Sequence, residues 1–302
     1  MRSIGQREIP TADAEALLVT GATGNTGAAL LQLLEGRGVS LRAMVRRNAD
    51  VARLGSTSAS VVVADFNDAA AVAAALRGVT RAYLVTPSSA EAEMQQIRFA
   101  ELAVAARVKH LVKLSQFAAD ASSPVRFLRY HAAVEQRIRE LRIGYTFLRP
   151  NLYFQGLLAF RSSIAVDARF FAPIGQARVS AVDVRDIAAV AAAVMTEPGH
   201  LGQTYTITGP AAITHSEIAQ AIGKALGRDI AFVDIPPDGF AAALRSSGIP
   251  AWQVEGLVED YAHYARGEAA AVYPTVEQLT RMKPRDIATF AQDYAAAFRS
   301  QP

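Results

Sequence analysis

Residues 18–27 read LVTGATGNTG: an apolar run stops at Gly21, and glycine returns at Gly24 and Gly27. Gly21 and Gly24 permit a tight turn and a close backbone approach to a pyrophosphate, and Gly27 lets a following helix pack on the strand. That helix would aim its N-terminal N–H groups at the phosphates of a dinucleotide, with Thr23, Asn25 and Thr26 in the same turn. The spacing is G-x-x-G-x-x-G rather than G-x-G-x-x-G, so its weight comes from context. Here a strand, a turn and an amphipathic helix follow in the required order. A glycine-rich loop without a ligand is the plain alternative.

Outward from this turn, strand and helix alternate as far as residue 150. Strands are expected at 16–20, 39–45, 61–64, 81–85, 109–114 and 145–148. Helices are expected at 26–35, 68–76, 91–106 and from Ser123-Pro124 to about Leu141. Gly36 and Gly38 close the first helix, and Gly78 stops the second after an Asp68 N-cap. Ser123-Pro124 offers an N-cap and an N1 proline. Strands separated by helices imply an α/β fold, a Rossmann-type doubly wound parallel sheet. After Pro150 short strands (178–182, 204–208, 230–234) are interleaved with helices (183–195, 216–226), and 238–300 is mostly helical. Residues 16–150 therefore read as an NAD(P)-binding domain. Residues 151–302 read as a smaller, mixed, mainly helical substrate-binding part that shares its core. Residues 1–15 read as an N-terminal extension.

Composition narrows the chemistry. Of the 302 residues, 51% are hydrophobic, ample for a sizeable core. Cysteine is absent, which excludes disulfides, a thiol nucleophile and a Cys-ligated metal, and fits a reducing compartment such as the cytoplasm. The net charge is +3 with dispersed basic residues, which argues against a nucleic-acid partner. Residues 1–15 lack the apolar core of a secretion signal, and no apolar run is long enough for a membrane span. The histidines at 110, 131, 200, 215 and 263 show no metal-ligand spacing. No G-x-S-x-G elbow is present, which argues against a hydrolase. Exposed helices could support a homodimer, but nothing specifies its symmetry.

The second strand ends in Met44-Val45-Arg46-Arg47 rather than in an acid. An acid there would bond a ribose 2′-hydroxyl and repel a 2′-phosphate, whereas a guanidinium pairs with that phosphate. NADP(H) is therefore expected over NAD(H), with Arg46 the first choice of partner and Arg47 the second. Two solvated arginines at a strand end are the plain alternative.

Several segments together resemble the NmrA-like group of atypical short-chain dehydrogenases/reductases. They are LLVTGATGNTG, LRAMVRR, VVVADFND, HLVKLSQFAAD, HAAVEQRIRE, GYTFLRPNLYFQ, VDVRDIAAVAAAVM and YTITGPAAITHSEIAQAIGKALGR, spanning about residues 16–265. The group includes NADPH-dependent quinone, dye and azo reductases, and also regulators that sense the dinucleotide without turnover. By this resemblance Asp65 and Phe66 flank the adenine. Thr86 and Pro87 lie near the nicotinamide ribose. Ser115 stands where related enzymes keep a serine, and Asn151 and Tyr153 pass the nicotinamide.

Ordinary short-chain dehydrogenases use Tyr-x-x-x-Lys, in which lysine lowers the phenol pKa for proton exchange at a carbonyl. No tyrosine here has lysine four residues on; Tyr130 is followed at that distance by Val134. Hydride transfer to an electron-poor small organic acceptor (a quinone, an azo bond or a dye) needs less proton assistance, and positioning could supply much of the rate. His131 and Tyr153 are the candidate catalytic side chains, with Phe117 and Tyr153 as candidate acceptor contacts. His131 and Glu135 are one helical turn apart, so the two can meet. His131 could then donate a proton, hold the ribose or simply tether its helix. Asp183 and Asp186 read as helix-start residues with no catalytic role. A dinucleotide-sensing regulator without turnover is the alternative of a different class.

Overall fold

The apolar run ahead of Gly21 becomes β1 (Ala16–Val19), in which Leu17, Leu18 and Val19 are completely buried. Side chains alternate across a strand, so Leu17 and Val19 enter one core and Leu18 the other. Burial on both faces is the mark of a central strand in a parallel sheet. The computed structural model describes residues 15–299. The expected extension 1–15 lies outside them except for Glu15, whose carbonyl accepts from Ser40 N and whose carboxylate pairs with Arg81.

The other strands are β2 (Ser40–Val45), β3 (Ser60–Val63), β4 (Arg81–Leu84), β5 (His110–Leu114), β6 (Gly144–Pro150), β7 (Arg169–Ala172), β8 (Gln203–Ile207) and β9 (Ala231–Asp234). Seven of them form one sheet in the order β3-β2-β1-β4-β5-β6-β8, and every pairing is parallel. The chain winds one way from β1 to β3 and the other way from β4 onward. The loops after β1 and β4 therefore diverge and leave a crevice at the carboxyl ends of the strands. β7 and β9 pair in a separate two-stranded sheet.

The helices of the first half are α1 (Asn25–Leu34), α2 (Ala69–Leu76), α3 (Ala92–Ala105) and α4 (Arg126–Glu140). Those that follow are α5 (Arg161–Asp167), α6 (Val184–Thr196), α7 (His215–Leu226), α8 (Pro237–Ser246), α9 (Ala251–Ala265), α10 (Thr275–Thr280), α11 (Ile287–Asp293) and α12 (Ala295–Arg299). α1 packs on α6 over one face of the large sheet, while α2, α3 and α4 cover the other. Leu30, Leu31 and Leu34 line the buried side of α1, each contributing about 1.5–3 kcal/mol of apolar burial. A third core, around Phe154, Ile164, Phe170, Ile222 and Phe290, joins the later helices to β7. No helix among the described residues is long and apolar enough to cross a membrane.

Three local expectations are corrected. Residues 178–182 are not a regular strand. Val179 and Val182 make isolated bridges to Ile213 and Tyr153, and Ser180 between them bonds the carbonyl of Ala269. Three different partners share five residues, so no ladder propagates. α4 starts at Arg126 rather than at Ser123-Pro124, because Ser123 Oγ accepts from Val125 N and closes a local turn. The capping carboxylate comes instead from α9: Glu259 Oε2 accepts from Arg126 N at 2.8 Å. β7 and a 3₁₀ turn at 48–54 are elements with no counterpart in the sequence reading. Asp68 and Asp183 do cap α2 and α6, accepting from Ala71 N and Arg185 N.

Candidate active site

The crevice is a cavity of about 830 Å³ running along the carboxyl ends of β2, β1, β4 and β5. Its floor is the turn between β1 and α1. Gly21 sits at φ +58, where a Cβ would lie 2.6 Å from Val85 Cγ1. A Cβ on Gly27 would fall 2.2 Å from Gly21 O, so helix and turn touch backbone to backbone. Gly24 is the N-cap of α1 and brings no side-chain cap. The first N–H groups of the helix are thus left for a ligand, and residues 21–26 line the cavity. Gly27 lies behind that lining.

At one end the cavity is bordered by Met44, Val45 and Arg46. Arg46 has no hydrogen-bond or ion-pair partner among the described residues. Arg47 is outside the lining and binds Asp50 through two contacts of 3.3 Å. That contact holds the Asp50 carboxyl below its usual range. Arg53, which sequence reading did not single out, lines the cavity, lies 3.5 Å from Asp50 and reaches within 3.5 Å of the Thr23 carbonyl. Asp50 is therefore neutralised by two guanidinium groups, and a third, that of Arg46, stays open. A glycine cradle that a Cβ would fill, a free helix N-terminus and an uncommitted arginine suit a dinucleotide bearing a 2′-phosphate. Asp65, Phe66 and Asn67 form the adjoining wall. Asp65 Oδ1 accepts from Asn67 N at 2.8 Å, and the Phe66 ring lies 5.7 Å from that of Phe99.

The opposite end collects Thr86, Pro87, Ser88, Ser115, Tyr130, His131 and Tyr153. Gln96 Nε2 donates to Thr86 Oγ1 at 2.8 Å, and the hydroxyls of Ser88 and Tyr130 meet at 3.3 Å. Burial pushes the Tyr130 phenol up to about 12, so it stays neutral. Tyr153 is half-buried, its phenol is also raised by burial, and its hydroxyl has no partner within the described residues.

The expected His131–Glu135 contact does not form. Lys113 Nζ, wholly buried in β5, lies 2.7 Å from His131 Nδ1 and 3.2 Å from the Leu114 carbonyl. Glu135 is taken by Arg149 at 2.6 and 2.9 Å, by Ser115 Oγ at 2.6 Å and by Arg139 at 3.2 Å. Two guanidiniums bind a carboxylate more strongly than a neutral imidazole does, and they win. Burial alone would raise the Glu135 carboxyl; hydrogen bonds from Arg149 and Ser115 reverse this and hold it low. Burial, Lys113 and Arg149 pull the His131 imidazole well below its usual value. Burial pulls Lys113 down to about 7, with Glu135 opposing and Arg149 assisting.

Two further sequence candidates, besides Gly27 and Arg47, lie outside the lining. Asn151 Nδ2 donates to Ser180 Oγ at 2.8 Å and to the Ala269 carbonyl at 2.9 Å. Phe117 packs edge-on to Tyr273 at 6.4 Å, within the third core. Asp183 and Asp186 are buried at the start of α6, paired with Arg185 and Arg285. Among the described residues no cluster of three or more His, Cys, Asp or Glu side chains could hold a metal. Lys113 was missed because the run HLVKL reads as an ordinary strand; a lysine inside a strand buried on both faces was the available signal. Arg53 and Ser88 sit in irregular backbone and carry no periodic signal.

The chain is 33% identical over 282 residues to NAD(P)H azoreductase of Xenophilus azovorans, covering 93% of this chain and 99% of that one. It is 34% identical over 283 residues to (4-alkanoyl-5-oxo-2,5-dihydrofuran-3-yl)methyl phosphate reductase of Streptomyces griseus, again covering 93% and 99%. Among solved structures, the NADPH-dependent quinone oxidoreductase of Escherichia coli, complexed with NADPH, superposes with a TM-score of 0.83 at 27% identity, covering 92% of this chain and 99% of that one. The model of the NmrA-like family matches residues 13–291, and the chain belongs to that family.

Proposed function

We propose that the cavity holds NADPH along the β1–α1 turn and presents it to a small, electron-poor organic acceptor of the quinone, azo or dye type. The chain is an NADPH-dependent oxidoreductase. The observation that carries this reading is continuity. One cavity runs from the open Arg46 guanidinium, past the glycine turn, to Thr86, Ser115, His131 and Tyr153. The relatives' names point the same way: a quinone, an azo compound and an acylated dihydrofuranone share a conjugated, electron-poor double bond.

When bound, the reduced nicotinamide supplies a hydride at the His131 end. The N-terminus of α1 takes the pyrophosphate, Arg46 the 2′-phosphate, and Asp65 with Phe66 the adenine. The backbone of Thr86 and Pro87 borders the nicotinamide ribose. Ser115, held by Glu135, keeps that wall in place. Tyr153 faces the acceptor with its free hydroxyl, and its half-buried ring excludes water from one side. Asn151 and Phe117 support the acceptor side from behind, by pinning the segment after β6. Residues 16–150 thus provide the dinucleotide side and 151–302 the acceptor side. Short-range orientation, rather than a phenol–lysine pair four residues apart, supplies most of the rate.

Purified protein mixed with NADPH and a panel of quinones and azo dyes tests the reading. Loss of the reduced-nicotinamide absorbance with at least one acceptor is expected. Tight NADPH binding with no oxidation by any acceptor would make the chain a dinucleotide sensor instead.

A further inference from the structure

Lys113 is a buried ammonium with no use in the scheme above. It lies behind the cavity, in β5, and its three N–H bonds have two recorded acceptors, His131 Nδ1 at 2.7 Å and the Leu114 carbonyl at 3.2 Å. No carboxylate is bonded to it. An ammonium can only donate, so Nδ1 must accept and Nε2 must carry the imidazole proton. Nε2 has no partner among the described residues and is left to the cavity that His131 lines. The Tyr130 ring covers the imidazole at 4.1 Å and fixes its plane.

We propose that Lys113 and His131 form a proton relay that delivers the proton required when the acceptor is reduced. This rests on the oxidoreductase reading above. Hydride addition leaves an anionic oxygen or nitrogen on the product. The Nε2–H bond of His131 breaks and a new O–H or N–H bond forms on that atom. Nδ1 takes a proton from Lys113 Nζ in the same movement. The product anion and the ammonium are both neutralised, and one proton has passed from lysine to product. After product leaves, water protonates Nε2 and the Nδ1 proton returns to the amine. His131 is the catalytic residue of this scheme. Lys113 is a positioning residue that fixes the tautomer and resupplies the proton.

The surroundings favour discharge of the lysine. Burial and Arg149, from β6, both disfavour the ammonium; Glu135, from α4, opposes them through its charge but makes no bond to it, since Arg149, Arg139 and Ser115 already occupy that carboxylate. Lys113 is brought to about 7, where about half of the amines carry the proton at neutral pH and release it readily. Tyr130, over the imidazole, and Tyr153, in the same cavity lining, remain neutral phenols. Asp260, from α9, reaches Tyr130 only electrostatically and is itself bonded to Gln116 and Tyr264.

Two readouts test the relay. Nitrogen NMR of His131 in the wild-type protein is expected to show a protonated Nε2 and an accepting Nδ1 at about pH 6, where Lys113 is mostly charged. The Nδ1 signal is expected to move as Lys113 titrates near pH 7. The Nδ1–H tautomer at about pH 6, or a signal blind to that titration, would overturn the proposal. For turnover of a quinone, the wild-type rate is expected to fall about tenfold per pH unit above that point. Lys113→Met, which keeps the length of the side chain, is expected to lose this limb and about 100-fold in rate, with NADPH affinity unchanged. Turnover with a flat wild-type profile refutes the relay alone. Turnover of no acceptor at all refutes the oxidoreductase reading and the relay with it.

Discussion

Arg46 and Arg47 are identical neighbours with different fates. Arg47 is committed to Asp50, and Arg46 stays open at the cavity rim. Arg46→Ala is expected to weaken NADPH binding about 10–100-fold, the worth of hydrogen bonds to a charged group, and to leave NADH unchanged. Arg47→Ala removes one half-exposed ion pair and leaves Asp50 its contact with Arg53, so it is expected to stay within about twofold for both coenzymes. Titration calorimetry with both coenzymes checks this; equal losses of NADPH and NADH in Arg46→Ala would contradict the assignment. The two-arginine signature was legible because it closes a strand beside the glycine turn. Arg46 was ranked ahead of Arg47, but the reason Arg47 is committed was not legible, because it depends on the 3₁₀ turn carrying Asp50 and Arg53. Lys113 escaped for a similar reason. A Tyr-x-x-x-Lys search tests spacing along one helix and is blind to a lysine arriving from a strand.

At the scale of elements, the strand–turn–helix unit is the part written most plainly in the sequence, because its constraints are local. Gly27 shows how tight they are. Its missing Cβ would sit 2.2 Å from the Gly21 carbonyl oxygen, and backbone cannot yield as a flexible side chain can. Gly27→Ala is expected to cost about 1–3 kcal/mol by overpacking and to lower dinucleotide affinity, because α1 must move off the turn. Denaturant unfolding, with NADPH titration of the folded variant, measures both. Unaltered affinity would show that the turn does not hold the phosphates. The start of α4 and the irregular segment at 178–182 were misjudged because their partners are remote. Glu259 caps α4 from α9, and Ala269 bonds Ser180. Neither contact leaves a trace within a short window of sequence.

For the whole molecule, alternation of strand and helix was enough to give the doubly wound sheet, but not the return of β8 to its edge or the pairing of β7 with β9. Those depend on chain returns that no local pattern encodes. Folding also lowers four histidines by burial, His200 among them. Burial lowers His110 to about 4, with Arg81 and His200 adding to it, and lowers His215 to about 4 against the opposing charge of Asp234. His131 is depressed as well. An unfolded histidine titrates near about 6.5, so between these values the unfolded chain binds more protons. The stability they contribute is complete above that range and is lost as pH falls through it. Asp260 and Asp186 oppose them, since burial raises both, Asp260 to about 7, but they are two groups against four. The free energy of unfolding from denaturant titrations is expected to fall between pH 6 and 5, at about 1.4–3 kcal/mol per pH unit; a flat profile would contradict neutral burial of these rings. The cavity joins these scales, since its glycine floor, arginine rim and histidine end belong to different elements. A crystal structure with NADPH bound examines them together. The expected result is the pyrophosphate on residues 21–26, the 2′-phosphate on Arg46 and the nicotinamide beside His131 and Tyr153. A dinucleotide bound elsewhere, or one whose nicotinamide lies away from His131, would contradict it.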